Sequence, residues 1–199
     1  MRMTPMLGKV PREEGEARIS LRSLQKQDMQ RIKRWGRNQT PLLSGYNYGE
    51  MSFSESLFWY RAKTSKNARY FAIDHKDQKM IGYLGAKQIN MVQQSALLGI
   101  VLDPNFQSQG YGKEALLLFM DFYFNEWGMR SLNLEVNQFN KRALALYEDL
   151  GFRYVSESYE KFENQEINVD ALDDELKESF FYRDGTVYSK LWVMRKESL

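Results

Sequence analysis

The stretch that most constrains how this 199-residue chain can fold is residues 97–113, LLGIVLDPNFQSQGYGK. Residues 97–102 are apolar and branched, as in a buried strand, and Pro104 ends that run because it has no N–H for a strand ladder. Two glycines, Gly110 and Gly112, then open an amphipathic helical pattern. A strand, a tight glycine loop and a helix N-terminus together predict an anion site, because the free amides of the first turn and the helix dipole favour phosphate.

The same glycine pair could form an ordinary strand-to-helix turn or one of two nucleotide-binding loops. The P-loop pattern requires four residues between its glycines and then Gly-Lys-Ser/Thr, whereas here one residue separates the glycines and Glu114 follows Lys113. The dinucleotide fingerprint requires a third glycine, or alanine, where Ala115 stands. That loop should begin a domain, but here it follows several strands of antiparallel pattern. A nucleotide-binding protein is therefore disfavoured.

Composition excludes several classes of function. Hydrophobic residues make up 43% of the chain and charged residues 27%, which is typical of a globular protein. The net charge of +2 is dispersed, so we expect no nucleic-acid partner. The chain has no cysteine and one histidine, His75. This excludes disulfides, thiolate sites and a histidine cluster, and we expect no metal.

The pattern of hydropathy predicts a protein without a membrane partner. No apolar run approaches the roughly 18 residues of a membrane span, and the N-terminus has no apolar signal-peptide region. We therefore expect the cytoplasm as its location. Residues 1–16 carry proline, glycine and charge without a period, and we interpret them as a loose leader before one domain over 17–199.

The order of the predicted elements indicates an α/β fold of the α+β type, with a mixed sheet of about seven strands flanked by helices. Helices are predicted over 27–35, from Ser52 or Ser54, over 110–127, and from Asn140 to Gly151. Strands are predicted over 17–24, 69–74, 79–90, 94–102, 132–136, 152–159, 180–183 and 186–195. His75 is placed on an exposed turn. Residues 160–179 form an acidic insertion before a hairpin around Asp184-Gly185.

Two blocks of the sequence resemble a known family. The spacing Gln107-x-x-Gly110-x-Gly112 directly after a strand resembles the pyrophosphate loop of the GNAT superfamily of N-acetyltransferases. Residues 132–152, LNLEVNQFNKRALALYEDLGF, resemble its second block: a strand, an asparagine, a helix with Tyr-Glu, and Gly-Phe. The hairpin, with aromatic-Arg-Asp-Gly before a strand, is typical of the ribosomal-protein (Rim-like) branch. The resemblance implies acetyl-CoA as co-substrate and direct attack by a primary amine in a ternary complex.

The resemblance also implies a cofactor site, in which the arm of acetyl-CoA lies like an added strand where two parallel strands separate. The backbone groups implied to bind its pantetheine belong to Ile100, Val101 and Leu102. The residues implied around its pyrophosphate are Gln107, Ser108, Gln109, Gly110, Tyr111, Gly112 and Lys113, through their amides and the Lys113 charge. Arg142 adds charge, and Asn140 is expected to contact CoA as well as to cap its helix.

Two residues match catalytic positions of the family. Tyr147 matches the general acid that protonates the departing thiolate; the alternative is a core aromatic on an amphipathic helix. Glu135, within Leu-Glu-Val, matches the base of ribosomal-protein alanine acetyltransferases. Alternatively, Glu135 is a solvent-facing strand residue. A chain of water molecules could then serve as the base. The other glutamate used as a base in this family is absent, because residues 96–100 read ALLGI.

The sequence leaves the acceptor open among a protein N-terminus, a polyamine and another small amine. The acidic run Asp170, Asp173, Asp174 and Glu175 could attract a cation, or be only a solvated face. Aromatic residues between 46 and 60 could line the acceptor pocket or pack in the core. The alternative to an enzyme is a non-catalytic acyl-CoA-binding or regulatory module on the same fold. A monomer or a homodimer is compatible with the sequence.

Overall fold

A computed structural model describes residues 17–77 and 80–198 of the chain; the leader predicted over 1–16 lies outside the described residues. The described chain forms an eight-stranded mixed sheet in the order β1-β2-β3-β4-β5-β8-β6, with β7 paired to β8. The strands are β1 (Ile19–Ser23), β2 (Ala68–His75), β3 (Met80–Asn90), β4 (Ser95–Leu102), β5 (Ser131–Asn137), β6 (Arg153–Lys161), β7 (Phe180–Arg183) and β8 (Thr186–Glu197). The predicted mixed α/β fold is confirmed.

Five α-helices flank this sheet. They are α1 (Asp28–Ile32), α2 (Phe53–Lys63), α3 (Tyr111–Asp121), α4 (Lys141–Asp149) and α5 (Asp174–Lys177). Ser52 begins α2 with a reciprocal capping box to Glu55, and the Asn140 side chain accepts a hydrogen bond from the Ala143 amide to begin α4, as predicted. The sequence therefore marks helix starts accurately where a side chain can satisfy a free amide.

The two halves of the sheet meet at one short parallel pairing. Strands β1 to β4 are an antiparallel meander. Strands β4 and β5 pair only through three rungs, the last joining Leu97 to Asn133, and beyond them the strands diverge. In the second half, β8 lies between β5 and β6. The divergence predicted for the parallel strands is confirmed, and it opens the middle of the sheet.

Successive strand residues point to opposite faces of the sheet and form one core cluster on each face. Phe71 and Leu84 pack with Leu116, Phe119 and other α3 residues, whereas Tyr70 and Tyr83 pack with residues of α1 and α2. A third cluster lies under residues 160–179 and joins them to the hairpin and to the 3₁₀ turn Pro41–Tyr46; its buried members are Phe139, Phe162, Val169, Phe180 and Val187. The acidic insertion is therefore anchored by its apolar residues.

Several predictions about local structure were wrong or incomplete. His75 ends β2 and is half-buried, with its ring edge-on to Tyr111 at 5.5 Å, so it is not on an exposed turn. Helix α1 ends at Ile32 and not near residue 35, because Trp35 turns inward to stack on Tyr83. The helix predicted over 110–127 is α-helical only to Asp121 and continues as a π-helical turn, Phe122–Glu126. Tertiary packing of aromatic rings overrides the local pattern in each case.

The predicted hairpin is confirmed in detail. Asp184 and Gly185 have φ values of 49° and 70°, which is the pair of left-handed residues that a two-residue type I′ turn requires. β7 and β8 pair directly on either side of it. The turn residues alone were therefore sufficient to set the register.

Candidate active site

The divergence of β4 from β5 opens a cavity of about 790 Å³ at the centre of the sheet. The cavity is lined on one side by β4 from Leu97 to Leu102, whose edge beyond Leu97 has no strand pairing to β5. A strand edge without a partner presents alternating N–H and C=O groups. Such an edge can hydrogen-bond an extended amide-bearing molecule, as pantetheine requires, and Ile100, Val101 and Leu102 lie on it as predicted.

The loop after β4 lines the same cavity through Gln107, Ser108, Gly110 and Gly112. Ser108 and Gly110 have left-handed φ values of 60° and 84°, and no side chain caps the first turn of α3. Ser108 is not a glycine, so this conformation is held from outside: Arg142 donates hydrogen bonds to the Gln107 carbonyl oxygen Oε1 at 2.8 Å and to Ser108 Oγ at 3.1 Å. Left-handed residues followed by uncapped helical amides form a concave site suited to phosphate.

Gly112 allows the first turn of α3 to lie close to the edge of β4. A Cβ at Gly112 would lie 3.3 Å from the Leu102 side chain, so a larger residue would crowd the strand edge. Lys113 lines the cavity and is ion-paired to Asp149 at 2.6 Å. The backbone and the charges therefore fit the phosphates of a coenzyme A thioester.

Two of the predicted loop residues direct their side chains elsewhere. The Gln109 amide donates to the Asn105 carbonyl oxygen, and the ring of Tyr111 is buried with Arg18 at 4.5 Å from its centre. Neither lines the cavity. Only their backbone amides can serve a phosphate.

Tyr147 lies on α4 facing the cavity. Its ring is almost fully buried and packs edge-on against Phe152 at 5.8 Å. Burial, with a smaller effect from Tyr46, raises the pKa of Tyr147 above its ordinary value. The phenol therefore keeps its proton at neutral pH and can donate it. The position suits the general acid that the sequence predicted.

Three carboxylates line the cavity close to one another. Glu135 is exposed there, two residues beyond the last β4–β5 rung and so level with Gly99. Glu160, near the end of β6, and Glu163 join it. Partial desolvation, followed by the charges of Glu163 and Glu135, raises the pKa of Glu160. These three carboxylates form a negative wall of the cavity.

Sequence reasoning missed Glu160 and Glu163, and the acidic run it considered as a cation site is placed on the surface, as its solvated-face alternative expected. The run from Asp170 to Glu175 lies outside the cavity. Asp173 caps α5, and Glu175 pairs with Lys141 at 3.4 Å on the surface. No local signal distinguishes the two acidic groups, because their positions depend on how the segment after β6 folds against the 3₁₀ turn Pro41–Tyr46.

Aromatic rings form the third wall of the cavity. Tyr46, Tyr48 and Trp59 line it, as the pocket interpretation of residues 46–60 expected, whereas Phe53 and Phe58 are outside and exposed. The hydroxyls of Tyr48 and Tyr83 are hydrogen-bonded at 2.7 Å. Desolvation and the charges of Glu163 and Glu160 raise the pKa of Tyr46. The cavity therefore combines aromatic rings and carboxylates, both of which favour an organic cation.

In the described ranges, no three His, Asp or Glu side chains are placed to hold a metal ion. No helix within 17–77 or 80–198 is long and apolar enough to cross a membrane.

Comparisons with known proteins agree with this geometry. The family model described as an acetyltransferase (GNAT) domain matches residues 18–153. Spermidine N(1)-acetyltransferase of Vibrio cholerae is 26% identical over 137 residues, covering 68% of this chain and 79% of that protein. The ribosomal protein bS18 alanine N-acetyltransferase of Escherichia coli is 40% identical over 62 residues, which are 31% of this chain and 41% of that protein.

A solved structure shows the same fold. The crystal structure of the Vibrio cholerae spermidine N-acetyltransferase in complex with CoA and spermine has a TM-score of 0.68 and 22% identity. The alignment covers 92% of this chain and 96% of that one. The similarity therefore extends well beyond the two motif blocks.

Proposed function

The chain belongs to the GNAT family of acetyl-CoA-dependent N-acetyltransferases, and from that premise we propose that it acetylates a primary amino group of a small linear polyamine. The observation that carries this proposal is the negative wall of Glu135, Glu160 and Glu163 in the cavity that the β4 edge also lines. A polyamine carries several positive charges at neutral pH, and those beyond the reacting amine would pair with carboxylates. Relatives and solved neighbours named as spermidine acetyltransferases support the same acceptor class.

In this proposal the β4 edge and the loop hold acetyl-CoA. The backbone of Ile100 to Leu102 binds the pantetheine amides and polarises the thioester carbonyl. Amides of Ser108 to Lys113 bind the pyrophosphate, and Arg142 keeps Gln107 and Ser108 in place. The thioester then lies near Gly99, where the strands diverge.

Proton transfers would involve two side chains that line the cavity. The acceptor amine must lose a proton before it attacks, and Glu135 receives that proton, directly or through water. The lone pair of the neutral amine attacks the carbonyl carbon, and the C–S bond breaks as the C–N bond forms. Tyr147, which its raised pKa keeps protonated, donates its phenolic proton to the departing thiolate, and the second proton lost by the amide nitrogen restores the phenol.

A second candidate acceptor is a protein N-terminus, favoured by the 40% identity to the bS18 alanine acetyltransferase. That match is short and covers 41% of the relative. The aromatic wall and three carboxylates leave a cavity suited to a narrow cationic chain. The polyamine is therefore the first candidate.

The test is a thiol-release assay with acetyl-CoA and a panel of acceptors: spermidine, spermine, a diamine, and a peptide with an N-terminal alanine. We expect kcat/KM to be highest for a polyamine. Glu163→Gln should raise KM for the polyamine and leave KM for acetyl-CoA unchanged, and Asp174→Asn, at an exposed carboxylate outside the cavity, is the matched control. A higher kcat/KM for the peptide would replace the proposal with the second candidate.

A further inference from the structure

The last residue of α2, Lys63, places its ammonium group inside the cavity among aromatic rings. Its Nζ lies 4.5 Å from the ring centre of Tyr70, 5.3 Å from Tyr83 and 5.7 Å from Trp59. No carboxylate within the described ranges forms an ion pair with it. This aromatic cage holds an alkylammonium group in the way cages for organic cations do.

The cage adjoins the strand that would carry the thioester. Tyr70, Gly85 and Gly99 are paired across β2, β3 and β4, and the Tyr70 hydroxyl lies 2.7 Å from the point where a Cβ on Gly99 would stand. Lys63, this part of β4 and Tyr147 all line the same cavity. The Tyr70 ring thus contacts the Lys63 amine and approaches β4 at Gly99, and all three line one cavity.

The surroundings of Lys63 favour its neutral, nucleophilic form more than those of a surface lysine do. Burial lowers the pKa of Lys63 to about 8, and the charge of Lys87 acts in the same direction. The ring faces oppose this by favouring the cation. Glu135, Glu160 and Glu163 form no ion pair with it. An amine of this kind is a suitable nucleophile near neutral pH.

We propose that Lys63 is a self-acetylation site, modified by acetyl-CoA bound along β4 when no acceptor amine is present. The lone pair of neutral Nζ attacks the thioester carbonyl carbon, so that the C–N bond of an acetyl-lysine forms and the C–S bond breaks. Nζ loses one proton to a cavity carboxylate or water, and the thiolate takes one from Tyr147. The proposal rests on the acetyl-CoA site and not on the identity of the acceptor.

The other two lysines that line the cavity are less suitable. Lys113 is at the phosphate end of the cavity and is ion-paired to Asp149 at 2.6 Å. Lys87 is exposed on β3. These differences make Lys87 the natural internal comparison for Lys63.

The experiment is peptide mass spectrometry of the full chain incubated with isotope-labelled acetyl-CoA and no amine. Because acetylation blocks tryptic cleavage after Lys63, a protease that cleaves at acidic residues is used. We expect labelling of Lys63 to be about tenfold or more faster than labelling of Lys87, since a lowered pKa leaves far more neutral amine at pH 8. Excess unacetylated CoA should slow the labelling of Lys63 alone, and its rate constant should not depend on protein concentration.

Two variants complete the test. Lys63→Arg keeps the cation in the cage and should remove the fast labelling phase, whereas Lys87→Arg should retain it. Absence of label at Lys63, or labelling at the rate of exposed lysines and insensitive to CoA, overturns the proposal. Spermidine turnover on the same preparation separates the two hypotheses: turnover without Lys63 labelling overturns self-acetylation alone, and Lys63 labelling without turnover on any polyamine overturns the acceptor assignment alone.

Discussion

The hydroxyl of Tyr70 lies against the backbone of Gly99, two strands away, at the point where β4 leaves β5. A Cβ built on Gly99 would lie 2.7 Å from that hydroxyl oxygen and 3.6 Å from the adjacent ring carbons. Gly85, between the two in the sheet, has no side chain to block the ring. The two glycines thus leave room for the Tyr70 ring to lie over β3, reach β4 and line the cavity. Burial raises the pKa of Tyr70 to about 12, so it remains a neutral phenol.

Gly99→Ala should destabilise the protein by about 1 kcal/mol, because the new methyl group meets the Tyr70 hydroxyl in a packed site. In a Tyr70→Phe background the same change should cost little, since the remaining ring carbons are at an ordinary contact distance. Urea unfolding of the four proteins in this cycle measures the coupling. Tyr83→Phe with Gly99→Ala is the control and should show no rescue. If Gly99→Ala lowered the free energy of unfolding equally in both backgrounds, the contact between Gly99 and the Tyr70 hydroxyl would not be the cause.

Tyr147→Phe should lower kcat by roughly 10²-fold or more and leave the Kd of CoA nearly unchanged, because the variant loses the proton donor but keeps the buried ring. Thiol release and calorimetry measure the two quantities. Since burial raises the pKa of Tyr147, the wild-type rate should not fall through ionisation of this phenol between pH 7 and pH 10. Tyr154→Phe, an exposed tyrosine on β6, is the control. If Tyr147→Phe kept the wild-type kcat, Tyr147 would be excluded as the general acid.

Glu160→Gln should raise Tm at pH 7 to 8, and the gain should disappear in acid. The pKa of Glu160 is raised in the folded state by partial desolvation, Glu163 and Glu135. The folded protein therefore binds more protons than the unfolded chain between the ordinary and the raised pKa, and stability falls as pH rises through that window. Below the ordinary carboxyl pKa, near 4.5, Glu160 is protonated in both the folded and the unfolded state, and it no longer destabilises the protein. Thermal melts from pH 4 to pH 8 measure this; a gain independent of pH would contradict it.

Arg22→Leu should destabilise the protein by about 3 kcal/mol, because it leaves the fully buried Asp28 carboxylate without its cation. The Arg22 guanidinium donates to Asp28 at 2.7 and 2.9 Å and to Asp74 at 2.6 and 3.1 Å. Hydrogen bonds to Asp28 first, and to Asp74, raise the pKa of Arg22. Arg31→Leu, whose longer and more exposed contact to Asp28 is 3.5 Å, is the control and should cost less than about 1 kcal/mol. Similar losses for the two variants in urea unfolding would show that the pairing is not the cause.

Local patterns predicted the elements that form the candidate acetyl-CoA site. The strand before Pro104, the glycine loop, the Asn140 cap and the Asp184-Gly185 turn each depend on the conformational preferences of a few adjacent residues. The positions of the loop residues and Tyr147 around one cavity followed from the order of these elements. The catalytic roles of Tyr147 and Glu135 remain predictions, which the variants above test.

Contacts between distant segments could not be predicted in the same way. His75 was placed on an exposed turn because its neighbours are polar, but Tyr111 covers it from another part of the chain. The acidic run was considered for its density of charge, whereas Glu160 and Glu163 line the cavity together with Glu135. Neither placement could be decided from nearby residues.

The sequence by itself determined the family, the order of strands and helices, and the candidate residues for binding acetyl-CoA, because periodicity, turns and helix caps are local properties of the chain. Only the tertiary structure decided which other side chains line the cavity. Lys63 enters its cage, and Glu160 and Glu163 line the same cavity, because α2, β6 and the sheet pack around the gap between β4 and β5. Contacts between distant segments depend on how whole elements pack, and that information is spread over the entire core.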